Sequence, residues 1–248
     1  MKRAFDVVAS AAGLILLSPV LLAVMLAVWI EDRHSPFFRG TRLALGGGDF
    51  RMLKFRSMTP DAWKTGVNST AAGDRRITRI GRVLRATKLD ELPQLWNVLV
   101  GDMSLVGPRP QVPSDANLYT EEERKMLTVR PGITDLASIV FVDEGDILAG
   151  SAQPDLLYNR IIRPWKSRLA LLYVERRTFF ADLRIVALTL LNALDREQAL
   201  ENVTSILEAW DADALLCTMA RRIQPLRAYP PPGATEVVDR YPDRTACA

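Results

Sequence analysis

Two adjacent carboxylates, Asp90 and Glu91, stand between a run of cations and an arginine locked by prolines. Arg75, Arg76, Arg79, Arg82, Arg85 and Lys88 lead up to them, and Pro108-Arg109-Pro110 follows, where φ-restricted neighbours give Arg109 a fixed heading. Arg130, beside Pro131, repeats the device. His34, the single histidine, directly follows an apolar run and reads as an interfacial side chain. Cys217 and Cys247 lack metal-ligand spacing and fit a reducing compartment, so the available chemistry is that of carboxylates, hydroxyls and lysines. Guanidinium forks grip phosphate oxygens in pairs, and a carboxylate among them can act as nucleophile or as ligand to a hard cation. Acidic pairs at helix starts also serve capping and the macrodipole; the crowd of arginines favours a phosphate-bearing ligand here.

The elements that must hold these residues are legible around them. Pro93 is tolerated only in a first helical turn, which places Asp90 and Glu91 at a helix N-terminus. Leu92, Leu95, Trp96 and Leu99 continue at helical spacing until Gly101. Two extended runs within 37–58, joined by Gly46-Gly47-Gly48-Asp49, predict a hairpin whose second arm puts Lys54 and Arg56 on one face. Residues 59–74 read as a mobile polar loop, and 77–85 as an amphipathic helix. Thr120 to Glu123 carries a capping-box pattern. Pro164 opens a helix through Tyr173, and a second, from 179 to 193, is apolar with Asp182 and Arg184 on its rim, suited to the core or to a membrane interface. Beyond Asp195, 197–222 reads as an amphipathic helix and 224–248 as a loose tail.

Residues 5–30 are almost wholly apolar. As one straight helix they would reach ~39 Å, enough to cross a ~30 Å hydrocarbon core. Ser18-Pro19 interrupts them. Proline removes a backbone bond and clashes with the Ile15 carbonyl, which a serine hydroxyl can bond instead, so a kink is expected and each half alone is too short to cross. Lys2 and Arg3 flank one end and Arg33, Arg39 and Arg42 the other, giving no reason to put the ends on opposite faces. A re-entrant hairpin is therefore expected, with a kinked spanning helix as the alternative. Glu31-Asp32-Arg33 follows without a small-residue cleavage pattern, which argues against a signal peptide. With 48% hydrophobic and 25% charged residues and a net charge of +3, the chain suits a folded core, its basicity concentrated between Arg33 and Arg109.

Leu89-Asp90-Glu91-Leu92-Pro93-Gln94, the run from Gly101 to Pro110 and Arg130-Pro131-Gly132-Ile133-Thr134 together resemble the bacterial sugar transferases known as monotopic phosphoglycosyl transferases, over roughly Lys2 to Thr189. The resemblance implies transfer of a sugar-1-phosphate from a UDP-sugar to polyprenyl phosphate, such as undecaprenyl phosphate, as the initiating step of surface polysaccharide or glycoconjugate synthesis. Asp90 would form a covalent intermediate, releasing UMP. Glu91 would help hold Mg2+ (or Mn2+) with Asp90 or accept a proton, two roles left open. Arg85, five residues before Asp90, joins Arg109 and Arg130 as a phosphate contact, and Lys54 and Arg56 fall near the site. Asp135 and Ser138 replace a usual glycine and glutamine, and Gly40 and Ala44 a usual glutamine and glycine, which bears on sugar preference.

The expected fold is mainly α with a small β-hairpin: a re-entrant membrane hairpin over 1–33 broken at Ser18 and Pro19, a cytoplasmic α/β catalytic domain with interfacial amphipathic helices over 34–195, and a helix and tail over 196–248. The expected location is the cytoplasmic face of the bacterial inner membrane. The lipid bilayer is then a partner, downstream glycosyltransferases are further candidates, and no nucleic acid is expected. A non-catalytic anion-binding scaffold on the same fold is the alternative, but it would have no use for adjacent carboxylates facing arginines.

Overall fold

The computed structural model describes residues 1–240 apart from 66 and 68, with the side chain of Trp63 also left aside. Cys247, the end of the C-terminal tail, and Gly66 and Asn68 of the 59–74 loop therefore lie outside the described residues. The chain opens with α1 (Lys2–Leu16) and α2 (Ser18–Asp32), bent from each other by 63°. Ser18 Oγ donates to Ile15 O at 2.8 Å, supplying the carbonyl that Pro19 leaves without its helical donor. No single helix among the described residues is long and apolar enough to cross a membrane, although this bent pair passes the length and composition test together.

Antiparallel β1 (Phe37–Leu43) and β2 (Asp49–Phe55) form the expected hairpin, pairing Phe37 with Phe55 and Leu43 with Asp49. Gly46 and Gly47 turn it, at φ of 78° and 83°. The amphipathic helix is α3 (Arg79–Ala86), capped by Thr78. Next come α4 (Gln94–Val100), ended by Gly101 at φ 103°, and the short β3 (Ser104–Val106). Helices α5 (Pro113–Ala116) and α6 (Glu121–Arg124), the latter with the expected capping box, lead to β4 (Gly132–Thr134), which runs parallel to β3.

The rest is helical: α7 (Leu136–Val140), α8 (Glu144–Ile147), α9 (Pro154–Ile161), α10 (Arg163–Arg176), α11 (Phe179–Leu194), α12 (Arg196–Ala209) and α13 (Ala214–Ala220). The main core draws Leu136, Ile139, Leu169, Tyr173, Ile185, Val203, Leu207 and Ala220 from five of these helices. Residues beyond 195 thus complete this core rather than append to it, and they form two helices, not one, because the chain turns at Asp211 with φ 57°.

The tail expectation also needs correcting for residues 224–240. Tyr229 stacks on Trp165 at 4.5 Å, Arg168 donates to Pro230 O, and Thr120 Oγ1 donates to Pro232 O. An aromatic ring and prolines that need no backbone donor can lie flat on α10, so this segment straps the body. Asp182 is likewise buried rather than on a rim, accepting from Lys2 Nζ at 2.5 Å and Tyr173 OH at 2.6 Å.

Both ends of the apolar pair are fastened to this body. At the start, Arg3 donates to Val98 O and Leu99 O, and buried Asp6 accepts from Ser104 Oγ and Leu105 N. At the end, Asp32 pairs with Arg56, and Glu31 accepts from the first amides of α3. Val8, Ile15, Leu16, Leu22, Leu26 and Ile30 face outward, more than half exposed. That is the reverse of a soluble amphipathic helix: in α1 the polar Asp6 and Ser10 face inward and the apolar side chains are uncovered.

At the crossing of β3 and β4, Gly107 and Gly132 approach so closely that a Cβ on Gly132 would lie 2.1 Å from Gly107 N, and one on Gly107 would lie 2.4 Å from Arg130 O. Backbone atoms cannot swing aside as side chains can. Gly132→Ala is therefore expected to lower the thermal midpoint of the detergent-solubilised chain by about 5–10 °C, equivalent to roughly 2–3 kcal/mol. An unchanged midpoint would contradict the tight crossing.

Candidate active site

A reversal of the chain presents the two carboxylates. Thr87 ends α3, Lys88 takes a left-handed conformation (φ 58°), and Leu89–Glu91 makes one 3-10 turn before Pro93 starts α4. Leu89 packs with Val24, Val28, Phe55 and Leu84, tying the turn to α2, β2 and α3 at once. With about three residues per 3-10 turn, successive side chains diverge by ~120°, so Asp90 and Glu91 point different ways.

Glu91 points into two cations. Its Oε1 accepts from Lys54 Nζ at 2.7 Å and Arg109 Nη2 at 2.6 Å, and Arg109 Nη1 lies 3.4 Å from Oε2. Burial would raise its pKa, but Arg109 and Lys54 outweigh burial and hold it well below the ordinary value. Asp90, 6% exposed, makes no hydrogen bond or ion pair among the described residues. Burial raises its pKa above the ordinary 3.8, with Lys54 opposing and the Glu91 charge adding to the rise. One carboxylate is thus saturated, while the other is desolvated and unengaged.

The cations are held as firmly as Glu91. Arg109 sits on a stretch bridged at both ends, since Gly132 N donates to Pro108 O and Leu43 N to Gln111 O. Glu91 raises the Arg109 pKa further, against burial. Lys54 is fixed through Asn97, whose side-chain oxygen accepts from Leu53 N at 2.8 Å and whose amide nitrogen donates to Arg51 O at 2.9 Å. Asn97 thereby ties α4 to β2. It escaped the sequence reading because the apolar spacing of α4 drew attention to Trp96, which is 53% exposed, whereas Gln94, Asn97 and Val98 face inward.

Not every expected contact converges here. Arg85 reaches the group through its charge, lowering the Asp90 pKa. Arg130 is exposed and donates to Gly101 O at 3.0 Å, at the end of α4 away from the carboxylates. Arg56 is not free on a strand face: β2 ends at Phe55, and Arg56 is buried against Asp32 and Ser35 O. Two cations less prominent in the sequence take their place. Burial and Arg109 push Arg42 down to about 10, and burial, then Arg109, depress Lys88. Lys54, too, is lowered by burial and by Arg109 against the pull of Glu91. Cations that depress one another are the electrostatic mark of a site shaped for an anion.

Behind Arg109, a cavity of about 40 Å³ is lined by Asp135, Ser138, Tyr158, Arg163 and Lys166, among others. That is room for a few waters. Asp135 and Ser138 cap α7 with each other there. Among the described residues, no three acidic, histidine or cysteine side chains converge on one point. A Mg2+ ion needs less, since it commonly takes one or two carboxylates with the remaining positions filled by water and substrate phosphate. The unengaged Asp90 carboxylate beside Glu91 fits such an ion.

Comparison with known proteins agrees with the resemblance carried by the motifs. Residues 1–196 match the bacterial sugar transferase family, and the chain belongs to it. It is 38% identical to a UDP-glucose:undecaprenyl-phosphate glucose-1-phosphate transferase of Caulobacter vibrioides, over 80% of this chain and 71% of that protein. A UDP-N-acetylgalactosamine-undecaprenyl-phosphate N-acetylgalactosaminephosphotransferase of Aeromonas hydrophila is 35% identical, over 66% of this chain but 40% of its own length. The exopolysaccharide production protein ExoY of Rhizobium meliloti is 36% identical, over 76% and 83%.

The two carboxylates should respond oppositely to neutralisation. Glu91→Gln leaves two half-buried cations unpaired and should cost roughly 1–3 kcal/mol, less than a fully buried pair because solvent reaches Arg109. Because the folded pKa of Glu91 is depressed, its contribution is present above about 4.5 and is lost as pH falls toward the folded value. Asp90→Asn removes a buried charge that nothing bonds, so it should raise the thermal midpoint at pH 7. Thermal scans of both variants at pH 7 and pH 4 decide this, and a midpoint lowered by Asp90→Asn would refute the assignment.

Proposed function

We propose that the chain transfers a sugar-1-phosphate from a UDP-sugar to undecaprenyl phosphate at the cytoplasmic face of the bacterial inner membrane, releasing UMP. The observation that carries this reading is the unequal pair: Asp90 without a hydrogen bond among the described residues and Glu91 gripped by Lys54 and Arg109. The relatives' names supply the donor and acceptor classes.

In the first step an Asp90 carboxylate oxygen attacks the sugar-bearing β-phosphorus. The phosphoanhydride bond breaks and UMP departs with the electron pair. In the second, a polyprenyl phosphate oxygen attacks the acyl phosphate, and Asp90 is released unchanged. A largely buried carboxylate with no hydrogen-bond partner among the described residues is a better nucleophile than its neighbour. Arg109, Lys88 and Arg85 meet the phosphoryl oxygens as charge develops there, and Glu91 keeps Arg109 and Lys54 in place beforehand. Mg2+ (or Mn2+) would be held by Asp90 and would neutralise phosphate charge, whereas Glu91, engaged by Lys54 and Arg109, is not available to join it unless it releases one of them.

Two steps in turn suit a soluble donor and a lipid acceptor. The membrane attachment rests on α1 and α2. Each has 15 residues, ~22 Å of helix against a ~30 Å hydrocarbon core, and both outer ends are bonded to the same body. Their bent tip therefore enters the bilayer and returns. Cysteines placed at residues 3 and 39 should be labelled from the same side, the cytoplasmic one. Opposite-side labelling would favour a spanning helix.

The direct test is UMP release from a panel of UDP-sugars with undecaprenyl phosphate and Mg2+. Wild type should turn over at least one donor, Asp90→Asn none, and Arg109→Lys about tenfold less or lower because a lysine cannot grip both Glu91 and phosphate in a fixed plane. Full activity in Arg109→Lys would remove the guanidinium fork from the account, and turnover by Asp90→Asn would overturn the reading itself.

A further inference from the structure

Away from the carboxylate pair, the chain buries a second charged cluster where its C-terminal helices meet α7 and α8. Asp143 Oδ2 accepts from Arg222 Nη2 at 2.9 Å and forms an ion pair with Arg196 Nη2 at 3.0 Å. Two guanidinium groups share one carboxylate oxygen, which leaves the cluster one positive charge in excess. Arg196 Nε, Arg222 Nε, Arg222 Nη1 and Asp143 Oδ1 are buried with no hydrogen-bond partner among the described residues. Donors thus outnumber the acceptor three atoms to one. Arg222 is only 13% exposed, lies 5.3 Å over the Phe141 ring and has a left-handed backbone with φ 56°. Its place is fixed from several sides, while the outer part of the Arg196 side chain reaches the surface, that side chain being 39% exposed.

Buried N–H groups nearly always meet an acceptor, and guanidinium groups left with several unmet donors favour a ligand that only accepts. Water both donates and accepts, and carries no charge to balance the excess. We propose that Arg196 and Arg222 form a binding site for a small tetrahedral oxyanion, a phosphate group either free or carried by a nucleotide. Arg222 lies beyond the residues matched to the sugar transferase family, whereas Asp143 and Arg196 lie within them, so the site joins the C-terminal part to the family body. A ligand there would fasten the end of α13 to the start of α8. Glu144, the first residue of α8, pairs with Lys166 and raises the Arg109 pKa, so the site adjoins the network behind the carboxylate pair. The proposal does not depend on the transferase reaction.

The experiment is thermal unfolding of the full chain in detergent, titrated with orthophosphate, sulfate or UMP against chloride at matched ionic strength. Orthophosphate and sulfate should raise the midpoint where chloride does not. Arg222→Gln should weaken the apparent phosphate affinity tenfold or more, about 1.4 kcal/mol. Asp143→Asn should strengthen it, because the excess charge rises by one, an outcome that a purely structural ion pair would not give. Loss of the UMP response alone in Arg222→Gln would make the natural ligand nucleotide-borne; loss of the orthophosphate response would make it free. The proposal fails if wild type shows no oxyanion-specific shift, if Arg222→Gln keeps every response, or if Asp143→Asn weakens binding. Should Arg222→Gln not fold, Arg196→Gln and Asp143→Asn decide the matter by the same readout.

Discussion

The grip of Lys54 and Arg109 on Glu91 is the interaction on which the rest of the structure depends. Its three members come from β2, from the turn before α4 and from the proline-bound stretch after β3, so the contact exists only when those elements are assembled. Every nearby support serves that assembly. Asn97 joins α4 to β2, the glycine crossing joins β3 to β4, and Leu89 sits in the cluster shared with α2. Because Glu91 pairs with two half-buried cations, it can be ionised at little risk to the fold, whereas Asp90 is a charge that the fold tolerates with no bond among the described residues. Such an uncompensated group is where a protein trades stability for reactivity.

The same assembly explains how the proposed membrane hairpin and the candidate site can share one small body. Lys2, Arg3 and Asp6 fix the start of α1, and Glu31 and Asp32 fix the end of α2. Leu89, the residue before Asp90, touches the cluster that α2 builds. Any shift of the hairpin is therefore felt within one residue of the carboxylate pair, and the site is held at a set height relative to the uncovered apolar side chains.

Local signals were legible in the sequence because their physics is local. Ser18-Pro19 specified both the bend and the hydroxyl bond to Ile15, Gly101 the stop of α4, Thr120 and Glu123 the capping box, and the glycine run the hairpin turn. Asp90, Glu91 and Arg109 stood out through their spacing and flanking prolines. Asn97, Arg42 and the roles of Asp6 and Asp182 did not, since each acts on partners distant in sequence and carries no local pattern. Arg56 and Arg130 resemble phosphate ligands by type and neighbour alone; Asp32 and Gly101 O, unforeseeable from spacing, engage them. Residues 224–240 looked loose because prolines and polar residues read as a tail until Trp165 is placed beneath Tyr229.

The division of labour between the two carboxylates is the central claim, and one measurement reaches it. Purified chain incubated with a labelled UDP-sugar and Mg2+ but no polyprenyl phosphate would be quenched in a single turnover, digested and mapped by mass spectrometry. Label, as a phosphosugar ester, is expected on the peptide carrying Asp90, at that residue, in wild type and in Glu91→Gln if that variant folds. Label on Glu91, or none on either residue while UMP is released only once acceptor is added, would contradict the account.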